Sequence, residues 1–501
     1  MRWIRPLSPE VEETAAILGA KAHGLVVLQR LGLPVPPGFV ITTAACRAFL
    51  RDGRLPGGLD TELAAAVADL EAATGRRLGG PQRPLVVSVR SGASVSMPGM
   101  MSTVLNLGLT AEATAGLAAE TGDPGFARDS RRRFLSSFAS AVGEPVPDDA
   151  ARQLTRAVEA VFSSWDTPRA RTYRELQEIP QDLATAVTVQ AMVFGNRDGH
   201  SGSGVAFSRN PTTGEPVPFG EVLFGGQGEE VVSGAALTRP LRDLADREPA
   251  AWAGLLETLD RVESRYRDPC YLEFTFEAGQ PWVLQARPGR FLGGAAVRVA
   301  VDLADEGVIG RREALLRVSP RQLRLVRTPR IVAEDGADVL ARGLGACPGV
   351  AVGRVATTAG QAVRMAADGP VILVRPETSP LDLHGLAAAA GVVTARGGPA
   401  SHAAVVARAM GKPAVVGARD LTIDVADASV RAGGHTVPEG TLVTIDGTAG
   451  AVVMGRARIG TGGADPHLDR LLGWADEVSG GSSDRGEAAR LGAAHAALRH
   501  G

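Results

Sequence analysis

The sequence predicts an α/β chain built from more than one domain, and three observations carry that prediction. At 501 residues with 45% hydrophobic side chains, the chain exceeds what one core ordinarily holds. Across residues 1–290, strand-like alternation in PPGFVIT, PLVVSVRSGA, TAVTVQAMV and CYLEFTFEAGQPWVLQARPG is interleaved with helical periodicity. From Gly343 to about Gly455, short strands broken by Gly and Pro form a second series around one helix.

Charge and cysteine usage narrow the class. A net charge of -2 gives no electrostatic footprint for nucleic acid or a membrane surface. No run approaches ~18 uncharged apolar residues, and MRWIRPLSPEVEETAA lacks an apolar leader core, so a cytoplasmic protein is expected. Cys46, Cys270 and Cys347 are far apart and have neither disulfide-framework nor zinc spacing.

Of the 53 basic residues, only Lys21 and Lys412 are lysine. Where arginine has taken almost every positive position, a surviving lysine suggests a need for a compact ammonium. Lys21 lies in LGAKAHG, a small-residue turn before the apolar LVVLQRLGL, which suits a phosphate contact although no G-x-x-x-x-G-K-[ST] loop exists. An ordinary exposed lysine is the plainer alternative.

In LVVSVRSGASVSMPGMMSTVLNLGL, Arg90 stands at a strand end before a Gly/Ser/Met loop and suits a polyphosphate, or else a structural ion pair. TAVTVQAMVFGNRDGHSGSGVAFSRNPTTGE reads as two strands and a Gly-rich loop, offering Gln190 and Ser203 as uncharged hydrogen-bonding groups. In the hairpin CYLEFTFEAGQPWVLQARPG, a three-residue loop Ala278–Gln280 would set Glu273 opposite Gln285 and Tyr271 opposite Arg287. Such a face offers hard oxygen ligands for Mg²⁺ and a cation for phosphate, unless it is a solvated outer face.

The segment from 291 to about 330 has helical period and reads as a connector. Beyond it, GVVTA is a buried strand, Ser401 an N-cap, HAAVVARAM a helix, and Gly411 with Lys412-Pro413 a helix stop. His402 therefore falls in the first turn, where free N–H groups would stabilise an anion on its imidazole. A histidine that only decorates a helix start is the alternative. The tail after Gly460 is expected to be partly mobile.

Together these segments resemble the pyruvate, phosphate dikinase family. The resemblance rests on GLPVPPGFVITTAAC, SVRSGASVSMPGMMSTVLNLGL, FSSWDTPRARTYRELQEIP, VQAMVFGN, GVAFSRNPTTGE, VLQARPG, ETSP and GGPASHAAVVARAMGKPAVVG. It implies an ATP-grasp nucleotide-binding domain over 1–290, a helical connector over 291–342, a swivelling β/α phosphohistidine domain over 343–458, and a tail over 459–501. It also implies Mg²⁺, ATP and phosphate as reactants, and His402 as the catalytic residue. By position, Lys21, Arg90, Arg133, Gln190, Ser203, Glu273, Gln285 and Arg287 fall where that family handles ATP and phosphate, with Glu273 and Gln285 also at the metal. A homodimer is compatible with this reading.

The chain departs from the family's pattern in four places. Tyr271 replaces an acidic residue, the 142–148 region is short, and Ala400 replaces a threonine that is phosphorylated for regulation in some members. The family's C-terminal barrel, which handles pyruvate and phosphoenolpyruvate, needs roughly 250 residues, and 459–501 resembles only its approach. The expectation is a kinase that phosphorylates His402 from ATP and phosphate, releasing AMP and pyrophosphate, with the acceptor site supplied elsewhere. A phosphohistidine kinase for another small molecule, and a non-catalytic nucleotide-binding protein, are the alternatives.

Overall fold

A computed structural model describes all residues except 1, 96, 98, 177, 235, 290, 324, 333–337, 462–464, 482–483 and 501. The chain divides into two compact units, residues 1–201 with 274–286, and residues 202–273 with 287–501. A swivel of 343–458 would need hinges near 330–343 and 456–462, which fall in part on residues 333–337 and 462, outside the described residues.

The first unit is built on an antiparallel five-stranded sheet in the order Ile4–Pro6, Gly38–Ile41, Thr185–Ala191, Val87–Ala93, Thr103–Leu107. Strand alternation sends Val87, Val89, Val187 and Val189 into a core with Phe134, Phe138, Leu154, Val158 and Phe162 from the flanking helices. The opposite face of the central strands carries the polar residues: Arg90 pairs with Thr188, and Ser88 with Gln190.

In the second unit, strands Gly202–Phe207, Phe219–Phe224 and Arg239–Pro240 are antiparallel neighbours; the hairpin of strands Cys270–Glu277 and Gln280–Pro288 is shared, with 270–273 and 287–288 in this unit and 274–286 in the first. The hairpin turn is the two residues Ala278 and Gly279, both at positive φ (48° and 77°), and not the expected three. Two consecutive left-handed residues match the twist of the flanking strands, which a longer loop does not require.

An eight-stranded sheet carries the rest of this unit. Strands Val350–Ala356, Val371–Arg375, Gly391–Thr394 and Ala414–Val416 are parallel neighbours at its centre, with antiparallel strands at both flanks. Helix His402–Met410 is the crossover between the last two parallel strands, the βαβ connection that parallel pairing demands.

The helices of 291–323 do not stand alone. Gly293–Asp305, Arg311–Arg317 and Pro320–Leu323 share one core with Pro466–Ser479 and Glu487–His500, through Val297, Leu315, Leu468, Leu471, Trp474 and Leu491. Most of the tail is therefore packed helix, because its apolar positions find a partner about 170 residues upstream, a separation that local pattern cannot reveal. Among the described residues no helix is long and apolar enough to cross a membrane.

Candidate active site

Lys21 lies inside the helix Ala15–Arg30 and not in the expected turn; the break falls two residues earlier, at Gly19, and a close backbone approach holds it. Gly19 breaks the helix Ala15–Arg30 with φ 75°, and a Cβ there would lie 1.7 Å from the Gly92 carbonyl oxygen. Only glycine permits both the positive φ and that approach. A Cβ at Gly92 would in turn lie 3.4 Å from Cβ of Lys21 and 3.9 Å from Oγ1 of Thr188. Since Gly92 and Arg90 are two apart on one strand, Lys21, Arg90 and Thr188 share a face. The Thr188 hydroxyl is buried there without a hydrogen-bond partner, a group that the sequence reading missed.

The other expected residues of the first unit are spread out. Gln190 is fully buried and its amide donates to the Pro36 carbonyl at 2.9 Å, which fixes the neighbouring turn. Arg133 pairs with Asp129 one turn back on its own helix at 2.7 Å. Gln285 is half-buried and belongs to this unit, whereas Glu273 belongs to the second.

In the second unit, Ser203 is buried on the strand Gly202–Phe207. Tyr271 is buried, packs edge-on against Phe207 at 5.1 Å and shares an apolar cluster with Val205, Val231 and Ala400. Its ring carries the Arg287 guanidinium at 4.2 Å, and its hydroxyl donates to Glu273 at 3.3 Å. Burial, with the Glu273 carboxylate beside it, pushes the phenol well above its ordinary pKa, so it is a neutral donor.

His402 opens its helix as expected, and Gly411 closes it in the left-handed conformation. Ser401 occupies the N-cap position but its side chain makes no cap bond; its hydroxyl is buried without a partner. The His402 ring is buried, with Nδ1 3.0 Å from Oγ1 of Thr378 and Nε2 without a partner. Burial depresses the imidazole to about 4, while the Asp382 carboxylate acts the other way. At neutral pH the ring is uncharged and one nitrogen is available as a nucleophile.

Two further groups support the helix. Arg408 donates to the carbonyls of Ala346 (3.1 Å) and Pro399, and burial, with Arg287 nearby, lowers it to about 10. Lys412 donates to the carbonyls of Ala387 and Ala389, at the end of helix Leu383–Ala388. A compact ammonium between two free carbonyls is what a helix C-terminus accepts best, so Lys412 has a structural reason to be lysine.

Among the described residues, no group of three or more His, Cys, Asp and Glu side chains could hold a metal ion. A single carboxylate such as Glu273 would suit a hard cation that takes its remaining oxygen ligands from a nucleotide's phosphates.

Known families match both halves of this description. The "pyruvate phosphate dikinase, AMP/ATP-binding domain" model matches residues 15–69 and 54–242, and the "PEP-utilising enzyme, mobile domain" model matches 367–450. Pyruvate, phosphate dikinase 2 of Zea mays is 41% identical over 513 residues, covering 92% of this chain and 58% of the relative. The pyruvate, phosphate dikinases of Rhizobium meliloti and Clostridium symbiosum are 40% and 37% identical, and the alignments cover 58% and 60% of those proteins. The chain thus matches a nucleotide-binding domain model in its first half and the mobile-domain model of phosphoenolpyruvate-utilising enzymes in its second. It belongs to the pyruvate, phosphate dikinase family by homology over 92% of its residues, and spans a little more than half the length of the curated relatives it matches.

Proposed function

We propose that the chain is a phosphotransferase that transfers phosphate from ATP to its own His402. Nε2 attacks the β-phosphorus, the bond from that phosphorus to the oxygen shared with the α-phosphate breaks, and AMP leaves. Inorganic phosphate then attacks the outer phosphorus and departs as pyrophosphate, which leaves a phosphohistidine. Pyruvate is the proposed final acceptor, at a site proposed to lie outside the two matched segments.

The carrying observation is His402 itself: a buried, neutral imidazole at a helix start, with Nδ1 engaged and Nε2 buried without a hydrogen-bond partner. The helix terminus stabilises the negative charge that phosphorylation brings. Lys21 and Arg90 are proposed phosphate contacts, as are Arg133, Gln190, Ser203, Gln285 and Arg287 by family position. Glu273 would hold Mg²⁺ together with the nucleotide, where the ion neutralises phosphate charge. The divisions 1–290, 291–342, 343–458 and 459–501, with a swivel of the third, are part of this reading.

ATP labelled in its β-phosphate should leave acid-labile, base-stable label on the full chain, and His402→Asn should abolish it. Label that persists on the Asn variant would reject the assignment. One observation favours a second reading, a nucleotide-binding protein without turnover: Tyr271 occupies both Glu273 and Arg287. ATP binding without AMP formation would support it.

A further inference from the structure

The glycine pair ahead of His402 raises a question that backbone geometry answers for only one of its members. Gly397 has φ 89°, a left-handed conformation that favours glycine; Gly398 has no such φ. What excludes a side chain at 398 is Glu221. A Cβ on Gly398 would lie 2.2 Å from Oε1, 2.3 Å from Cδ and 2.3 Å from Oε2 of that residue.

Glu221 has its own reasons to be noticed. It sits on the strand Phe219–Phe224, 4% exposed, and its Oε1 has no hydrogen-bond partner. Oε2 accepts from the Thr238 hydroxyl. Burial raises its pKa, while the Thr238 hydroxyl, the Ala400 backbone N–H and the Arg419 guanidinium act in the opposite direction. A carboxylate so deeply desolvated is costly unless its surroundings are fixed around it. Neighbouring contacts continue the same seam: Arg419 donates to the Thr238 carbonyl at 2.6 Å, Ala400 packs in the Tyr271 cluster, and a Cβ at Gly234 would lie 3.2 Å from Cα of Gly397.

We propose that Glu221 is a positioning residue: its carboxylate fills the notch that Gly398 leaves open, and so seats the loop Gly397–Ala400, and His402 after it, against the strand Phe219–Phe224. Glu221 acts through the loop, and the glycine at 398 is the complementary half of the contact. This rests on the reading of His402 as phosphoryl acceptor, because seating matters only if the imidazole has to be presented in one pose.

The test uses four full-length proteins: wild type, Gly398→Ala, Glu221→Ala and the double variant. Two quantities are read, the single-turnover rate of β-phosphate transfer to the protein at saturating ATP, and hydrogen–deuterium exchange of the peptide spanning 396–402. Gly398→Ala should slow transfer roughly tenfold or more and raise exchange, because the methyl cannot share space with the carboxylate. Removing that carboxylate should relieve the clash, so the double variant should be no slower than Glu221→Ala and faster than Gly398→Ala. The ATP Kd should stay within about threefold throughout, which separates seating from nucleotide binding.

Losses that multiply in the double variant, or a Gly398→Ala protein that transfers and exchanges like wild type, would overturn the proposal. So would a Glu221→Ala protein whose only defect is a weaker ATP Kd. If wild type takes no label at all, the reading of His402 fails separately, and the exchange pattern of the four proteins still decides whether Glu221 occupies the notch.

Discussion

Oγ1 of Thr378 and Nδ1 of His402 lie 3.0 Å apart, 24 residues apart in sequence. The contact bears on which ring nitrogen can react. A neutral imidazole carries one proton, and Nε2 has a lone pair only in the tautomer whose Nδ1–H donates to the threonine oxygen. Thr378→Val keeps the shape of this buried side chain and removes the acceptor. A hydrogen bond of ~0.5–1.5 kcal/mol predicts a fall of roughly three- to tenfold in single-turnover labelling of His402, with Thr378→Ser close to wild type. Equal rates for Thr378→Val and wild type would show that the hydroxyl does not set the tautomer.

Burial of the same ring makes a prediction about pH. In the folded chain His402 titrates at about 4, and an unfolded histidine near 6.5. Between these values the unfolded state binds the extra proton, so stability is full above about 6.5, declines as pH falls toward 4, and levels off below it. The difference corresponds to roughly 3 kcal/mol for this group. Urea denaturation from pH 7 to pH 4 should show that loss in wild type, and His402→Asn should lack this component. Labelling should also persist at pH 5.5, because the nucleophile is still neutral there.

The two lysines predict opposite phenotypes. Lys412 spans the carbonyls of Ala387 and Ala389, whereas Lys21 shares a face with Arg90 and Thr188. Lys412→Met should lower the stability of the second unit by about 1–2 kcal/mol, without changing ATP affinity. Lys21→Arg should leave stability unchanged and lower kcat/KM for ATP more than threefold. If both substitutions act on stability alone, Lys21 is not at a phosphate site.

Local signals near His402 were readable because they are consecutive. A buried β-branched strand, a helix and a glycine stop need no partner to be recognised, and they appear at Gly391–Thr394, His402–Met410 and Gly411. Ser401 reads as a cap because its residue type and backbone suit one; only the fold shows that its hydroxyl points elsewhere. Thr378 and Glu221 were not singled out, since each reaches the His402 region through tertiary contacts over many residues, and a lone Thr or Glu carries no pattern. The hairpin was recognised, but its loop length was not, because Ala278 is an unusual residue at positive φ.

Tyr271 gives the last prediction. The family resemblance implies an acidic residue at this position, so Tyr271→Asp looks like a repair, and in this chain it should not be one. The side chain is buried with Val205, Phe207, Val231 and Ala400, and its ring supports the Arg287 guanidinium. Aspartate would leave a cavity and place a carboxylate among these groups; Arg287 would offset part of that cost, but deleting so large a ring from a packed cluster typically costs 3–5 kcal/mol. Thermal unfolding of Tyr271→Asp should therefore begin several degrees below wild type, before any gain in ATP use can register. Tyr271→Phe separates the ring from the hydroxyl. It keeps the packing and the stacked guanidinium, loses the hydroxyl's 3.3 Å bond to Glu273 and its contact with Arg287, and should cost about 1–2 kcal/mol. With Glu273 released, the Kd for Mg–ATP should be no weaker than in wild type. A Tyr271→Phe protein that binds Mg–ATP more than threefold more weakly would show instead that the phenol is itself part of the nucleotide site, and a stable, more active Tyr271→Asp protein would show that the aromatic cluster is dispensable.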